Sequence, residues 1–380
     1  MKNIYYIAEL DFEKPNASTA RIINNIKALQ ANPDFNVQII GYGNSTKLEI
    51  EGIKIINLPK GKNNITKLFH YLFRPVHVIR YINQLTINPD VIIYYGSSSR
   101  YLIPLLQLRK RLSYLLISDI AEWYDYSSLP MGRFGMVAID VHFAMTKFIP
   151  KADGIIVISS FLENYYKARN NKVLKIPVTV DTNYPMTENK NVHFDSNYLN
   201  LIYAGTPGKK DIIIPIMEAV NKLNKEGYKV KFHLLGCNSS IVKNKDVLLS
   251  ENIIFYGKLP QDVVSYYLME ADFSVLLRPN NRKSNAGFPT KFVESLNAGL
   301  PVIANLTSDL GLYLKDGYNG FVLEDYQITT LIEKIKYILS LPKSILYIMR
   351  ENAKNSAKEH FDYRNYSYTL SNFIISLIEK

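Results

Sequence analysis

The chain has 380 residues, 47% of them hydrophobic and 21% charged, which is material for two domains of ordinary size with separate cores and excludes disorder. A single cysteine, Cys237, excludes an internal disulfide, and no apolar stretch approaches the roughly 20 residues that cross a bilayer. The formal charge of +11 is uneven: residues 1–176 carry 22 Lys and Arg against 13 Asp and Glu, and residues 177–380 carry 23 against 21.

The N-terminus, Met-Lys-Asn-Ile-Tyr-Tyr-Ile, runs straight into a strand pattern without a signal-peptide core, which predicts a cytoplasmic protein. Short apolar runs then alternate with helix-length segments at 4–8, 37–41, 53–58, 91–95, 114–118, 154–159 and 173–176. A second series follows at 199–205, 230–236, 253–257, 273–277, 301–305 and 320–323. Two β/α series predict an α/β protein with two doubly wound parallel sheets, Rossmann-like domains at 1–180 and 198–363. Residues 181–197 lack either periodicity and are the expected linker, with a central cleft across it. At the C-terminus Leu370, Phe373, Ile374 and Leu377 recur at helical spacing, predicting a terminal helix within 364–380.

Candidate chemistry also falls in chain order. The loop after the first strand holds Asn16 and Ser18, either of which would cap a helix over 19–30 or shape a pocket. Between residues 60 and 111 there are nine basic residues (Lys60, Lys62, Lys67, Arg74, Arg80, Arg100, Arg109, Lys110, Arg111) and one acid, Asp90. Phe69, Tyr71, Phe73 and other apolar residues interleave with them, so a peripheral contact with an anionic membrane is favoured over nucleic acid, against the plain reading of a solvated basic face. Asp119 and Glu122 stand just past a strand end beside Trp123, the chain's only Trp. Their three-residue spacing equally fits a helix capping box.

In the second half, Tyr203-Ala-Gly-Thr-Pro-Gly-Lys-Lys-Asp211 is a strand running into a glycine-rich turn before a helix over 212–224. Gly205 and Thr206 let backbone approach a phosphate, while Lys209 and Lys210 bring positive charge; a solvated lysine pair on an ordinary turn is the alternative. Arg278 and Arg282 lie at and beyond a strand's C-terminal end, where either could clamp a phosphate. Residues 284–304 (Ser-Asn-Ala-Gly-Phe-Pro-Thr-Lys-Phe-Val-Glu-Ser-Leu-Asn-Ala-Gly-Leu-Pro-Val-Ile-Ala) read as a small-residue loop, a helix and a strand. Pro289 suits the first helical turn, leaving N–H groups around Thr290 and Lys291 for an anion. Glu294, one turn on, shares their face and could accept hydrogen bonds from a ribose diol. No Asp-x-Asp occurs and the six histidines show no ligand spacing, so neither a metal nor another cofactor is expected.

The 203–211 and 284–304 blocks, with Ile254-Phe-Tyr-Gly-Lys-Leu-Pro260, Ala271-Asp272 and Asn297-Ala-Gly-Leu-Pro-Val-Ile303 in the same order, resemble nucleotide-sugar glycosyltransferases of the GT-B fold, family 4 in particular, over most of 199–325. The resemblance implies two Rossmann-like domains, with the terminal helix crossing back onto the first. It implies a retaining enzyme of hexosyltransferase type that moves a sugar from a nucleotide-diphosphate donor to a glycan acceptor. As in many relatives, that acceptor would be polyprenyl-diphosphate-linked, in cell-surface polysaccharide biosynthesis on the inner face of the membrane. Donor binding falls to Gly205, Thr206, Lys209, Lys210, Arg278, Arg282, Asn285, Ala286, Gly287, Phe288, Pro289, Thr290, Lys291 and Glu294. Catalysis falls to Lys210, gripping the diphosphate ahead of Lys209, and to Asp119 and Glu122; the acceptor would meet Asn16 and Ser18. Two departures stand out. Ala286 occupies the place of a sugar-side glutamate, which brings the backbone N–H groups of 285–287 to the sugar instead, and the loop holding Asn16 lacks the family's glycines. They leave open a noncatalytic subunit that binds a partner glycosyltransferase, and a sugar-nucleotide epimerase as a lesser alternative.

Overall fold

In the computed structural model the chain divides into two units, Met1–Thr179 with Tyr363–Lys380, and Val180–Asp362. The structure describes residues 1–43, 49–59, 64–124, 126, 129, 131–184, 192–208, 211–242 and 248–379, with the backbone alone for 64–72.

In the first unit, β-branched and aromatic runs form β1 (Lys2–Ala8), β2 (Phe35–Gly43), β3 (Glu49–Ile50), β4 (Ile53–Pro59), β5 (Val91–Tyr95), β6 (Leu115–Ile120), β7 (Gly154–Val157) and β8 (Val173–Lys175). Among the described residues these strands make one sheet in the order β3-β4-β2-β1-β5-β6-β7-β8. The pairs are parallel except for the β3–β4 hairpin. Ile4 is in register with Val37 on one side and Val91 on the other, and it is fully buried with Tyr6 and Ile7. Burial on both faces is why these strands read as unbroken apolar runs.

Helices α1 (Ala17–Gln30), α2 (Asn64–Asn83), α3 (Ser99–Leu112), α4 (Met136–Phe143) and α5 (Ser160–Lys167) lie in the connections. Asn16 starts α1: its side chain accepts from the N–H groups of Ser18 and Thr19, and the Thr19 hydroxyl accepts from the Asn16 N–H, a reciprocal cap contributing about 1 kcal/mol. Of the two residues expected there, Asn16 is the cap and Ser18 is not. The helix Ser367–Ile378 closes this unit, placing Leu370, Ile374 and Leu377 in one buried cluster with Ile22 and Ile26 of α1. A Cβ at Gly154 would stand 2.8 Å from Leu377 Cδ1, so the absent side chain in β7 is what lets this helix lie against the sheet.

The second unit repeats the scheme with β9 (Leu199–Ala204), β10 (Val230–Leu235), β11 (Ile253–Gly257), β12 (Phe273–Leu276), β13 (Val302–Asn305) and β14 (Gly320–Leu323). Among the described residues the order is β11-β10-β9-β12-β13-β14, parallel throughout. Its helices are α6 (Ile214–Lys225), α7 (Gln261–Glu270), α8 (Arg282–Ala286), α9 (Thr290–Asn297), α10 (Leu310–Tyr313), α11 (Ile328–Ser340) and α12 (Lys343–His360). α6 begins two residues later than its sequence pattern, because the Ile212 N–H bonds the Leu277 carbonyl at 2.9 Å and is held to the end of β12.

The chain passes between units at 179–180 and 362–363. These points lie side by side, the Val180 N–H donating to the Phe361 carbonyl at 2.8 Å. Residues 185–191 of the expected linker lie outside the described residues. Each sheet has one place where strand order reverses, between β1 and β5 and between β9 and β12. Open α/β sheets bind ligands beyond the carboxyl ends of the strands at such a point.

Candidate functional site

In the second unit the reversal brings together the two blocks singled out in the sequence. β9 runs into Gly205, whose N–H bonds the Leu235 carbonyl at 2.8 Å and whose φ of +138° suits glycine. A Cβ there would fall 2.4 Å from Lys291 Cε, so Lys291 of α9 crosses directly over the turn after β9. Its ammonium is 2.8 Å from Asp211 Oδ2, the Tyr203 hydroxyl donates to the same carboxylate at 2.9 Å, and Arg278 Nε is 3.4 Å from Oδ1. Burial raises the Asp211 carboxyl, but Lys291, Arg278 and the Tyr203 hydroxyl outweigh it and hold it below the usual range. The Asp211 anion thus orients two cations, leaving a net positive cluster at the head of the β9 turn.

α9 lies as its pattern requires: Phe292, Val293, Ser295 and Leu296 are buried, while Thr290, Lys291, Glu294 and Asn297 form the partly exposed face. Pro289 sits one position earlier than expected, as the cap rather than in the first turn, and the Phe292 N–H bonds its carbonyl at 3.0 Å. The N–H groups of Thr290 and Lys291 have no acceptor within the helix. Burial pushes the Glu294 carboxyl above the usual carboxylate range, with Lys291 opposing, and among the described residues no hydrogen bond engages it.

The small-residue loop is built from inside. Ala286 is fully buried, and Phe288 packs edge-on to Phe292 and Tyr313 at 6.1 and 5.7 Å between ring centres. Asn285 accepts from the Ser308 N–H at 2.9 Å and donates to Asn280 at 2.8 Å. Gly287 follows α8 in extended conformation, and Arg282 is exposed at the start of that helix. Phe288 therefore acts as the loop's anchor rather than as a ligand surface. Thr206, Gly236, Cys237, Asn238, Gly257 and Lys258 line a neighbouring cavity of about 510 Å³. That places the turn of the 254–260 block beside the turn after β9. Lys209 and Lys210 lie outside the described residues.

In the first unit the reversal opens on a cavity of about 330 Å³, with Glu9 and Ser18 near β1 and α1, Tyr95 and Ser98 at the end of β5, Glu122 beyond β6, and Asp140 from α4. The Tyr95 hydroxyl donates to Ser18 Oγ at 2.9 Å, and burial pushes its phenol up to about 12. Asp140 accepts from the hydroxyls of Ser98 and Ser99 and stands 3.5 Å from Arg100 Nε. Arg74 is ion-paired with Glu9.

Asp119 corrects the sequence reading. It is the fifth residue of β6 with no exposed surface, not a helix cap, and no helix follows at 121–124. Its carboxylate is held by Arg21 Nη2 at 2.7 Å and Nε at 3.1 Å, by the Tyr6 hydroxyl, and by Asn25 at 3.4 Å. Arg21 itself is 3% exposed and also donates to the carbonyls of Ile176 and Pro177. Asp119 and Glu122 both line the cavity, the first buried beneath it and the second partly exposed on its wall. Trp123 is core, packed edge-on to Tyr165 and Phe161 at 4.7 and 6.4 Å.

The basic stretch is also partly structural, since Arg74, Arg100 and Arg109 pair with Glu9, Asp140 and Asp153. Lys60, Lys62 and the side chain of Lys67 lie outside the described residues. Asp211, Tyr203, Arg21 and Asp140 carried no role in the sequence reading, because only the fold sets their partners. Among the described residues no group of three His, Cys, Asp or Glu could hold a metal ion, and no helix is long and apolar enough to cross a membrane.

Residues 187–360 match the family model "Glycosyl transferases group 1". No curated protein matches the chain by sequence. Among solved structures, sucrose-phosphate synthase from Thermosynechococcus elongatus superposes with a TM-score of 0.77 at 14% identity, covering all of both chains. HepE from Anabaena in complex with UDP-glucose gives 0.69 at 14% identity, also over all of both chains. The lipopolysaccharide outer core galactosyltransferase WaaB gives 0.65 at 16%, covering 98% of this chain and 99% of that one. With two parallel α/β units and these neighbours, the chain has the GT-B fold, and the match to the glycosyl transferases group 1 model falls on its second unit.

Proposed function

We propose that the protein is a metal-independent, retaining glycosyltransferase that moves a sugar from a nucleotide-diphosphate donor to a lipid-linked glycan in surface polysaccharide biosynthesis. The second unit (198–363 in the sequence reading) binds the donor and the first binds the acceptor. The observation that carries the reading is the meeting of Lys291, Asp211 and the Gly205 turn at the second reversal point. A diphosphate there would meet Lys291 and the first N–H groups of α9, and the sequence assigns Lys210, ahead of Lys209, to the same role. Negative charge builds on that group as the sugar leaves, so cations fixed in advance stabilise the transition state more than the ground state.

Glu294 would accept from the ribose diol, and the neighbouring cavity at Gly236 and Lys258 would take the base. On the acceptor side Glu122, Glu9 and Asp140 offer carboxylate acceptors to sugar hydroxyls, with Tyr95 and Ser18 as hydroxyl partners. HepE, a structural neighbour, was crystallised with UDP-glucose, which supports a nucleotide-sugar for this chain. The test is transfer of radiolabelled sugar by purified Lys210→Ala, Lys291→Ala and Glu294→Ala proteins, with donors first chosen by thermal shift across UDP, GDP, ADP and dTDP sugars. Loss of transfer in folded variants is the expected result, and rates near wild type refute the assignment.

A further inference from the structure

α4 and the turn before it carry an apolar surface that no other described part of the first unit covers. Met131, Phe134 and Met136 are 84%, 82% and 79% exposed, and Ile139 and Phe143 are 45% and 38% exposed. Met136, Ile139 and Phe143 follow at i, i+3 and i+7, one stripe along the helix, while Ala138, Val141, Ala144 and Met145 point inward and are buried. A soluble helix normally shows the reverse, so this stripe needs a partner.

Charge identifies the partner. From 131 to 151 the exposed ionic side chains are Arg133, Lys147 and Lys151, all cationic, and each lies over an aromatic ring: Phe134 at 5.8 Å, Phe143 at 4.9 Å and Phe148 at 5.5 Å. The one acid, Asp140, is turned inward onto Ser98, Ser99 and Arg100. Large apolar side chains beside cations with no exposed acid make an anionic lipid interface, where the rings enter the headgroup boundary and the cations meet lipid phosphates. A protein partner would instead need acidic groups facing these cations.

We propose that Met131, Phe134, Met136, Ile139 and Phe143, with Arg133 and Lys147, form a surface that docks the first unit on an anionic bilayer. The surface is continuous with the cavity, because Leu129, Val137, Asp140 and Val141 on the other side of the same segment line it. Docking there would hold the cavity at headgroup level. This deepens the lipid-linked acceptor reading and rests on it, and it moves the membrane contact from the basic 60–111 stretch to α4.

The experiment is flotation of the full chain with vesicles of phosphatidylcholine alone and of phosphatidylcholine with about 30% phosphatidylglycerol, an anionic surface, which needs no substrate and so stands or falls apart from transferase activity. Wild type is expected to float with anionic vesicles at low salt. A Phe134→Ser, Met136→Ser double variant should bind about a hundredfold less, from two apolar side chains no longer buried. Phe134→Trp in a Trp123→Phe background should blue-shift and be quenched by brominated lipid only when anionic vesicles are present. Undiminished flotation of the double variant, no quenching at position 134, or self-association of wild type that the double variant abolishes would each overturn the proposal, the last by making a second copy the occupant.

Discussion

The two reversal points share a topology and differ in how their sites are made. In the second unit the site comes from backbone: a turn at Gly205 that admits Lys291, a helix start at Thr290 and a buried loop at 285–287. In the first unit it comes from side chains gathered from β1, α1, β5, β6 and α4, with Asp119 and Arg21 buried beneath. Backbone sites demand glycine, proline and small residues in fixed local order, whereas side-chain sites demand only that distant positions converge. A phosphate can be held by the first kind; an acceptor of particular shape requires the second.

The comparison can be broken first at Asp119. If its carboxylate is framework, Asp119→Ala should destabilise the protein by about 3–5 kcal/mol by leaving Arg21 charged and buried, read as a shift in the urea midpoint. A stable Asp119→Ala protein that has lost transfer would return Asp119 to the chemistry. Next in size, Lys291→Ala should lower transfer by about 10²–10³-fold with little change in stability, and Lys291→Arg should recover part of it. Equal loss in urea resistance would mean that the Lys291–Asp211 pair is structural.

His233, in the second unit and not among the proposed donor groups, sharpens the contrast through pH. Burial, then Lys231, lowers its pKa to about 4, and it bonds Tyr256 and Asn200 at 2.9 and 3.0 Å. A histidine depressed in the folded state binds its proton more readily when unfolded, so its contribution is present above about 6.5 and is lost as pH falls toward about 4. Thermal unfolding should show that fall, on the order of 3 kcal/mol, and His233→Gln should flatten it. Smallest, Glu122→Gln should raise the acceptor KM by about tenfold, as for one hydrogen bond to a charged group, while leaving donor binding unchanged. A change in donor affinity instead would contradict the assignment of Glu122 to the acceptor.

The same contrast explains what the sequence revealed. Both sheets were legible because strands buried on both faces are unbroken Ile, Val, Leu and Tyr runs, and the Thr290, Lys291 and Glu294 face was legible because helical spacing is local. Asp211 was visible only as the end of a motif, since its value lies in Lys291, 80 positions away. The capping reading of Asp119 failed for the same reason: a capping spacing and a strand-end carboxylate look alike until Arg21, 98 positions away, closes on it. The apolar stripe of α4 has the composition of a core helix, and only its exposure sets it apart.

The central claim is tested most directly by calorimetric titration of the nucleoside diphosphates UDP, GDP, ADP and dTDP into wild-type and Lys291→Ala protein. The account predicts that one of them binds wild type and that the variant loses at least about tenfold in affinity, as expected for a lost charge-assisted contact. Equal affinity in both proteins for a diphosphate that binds would contradict it.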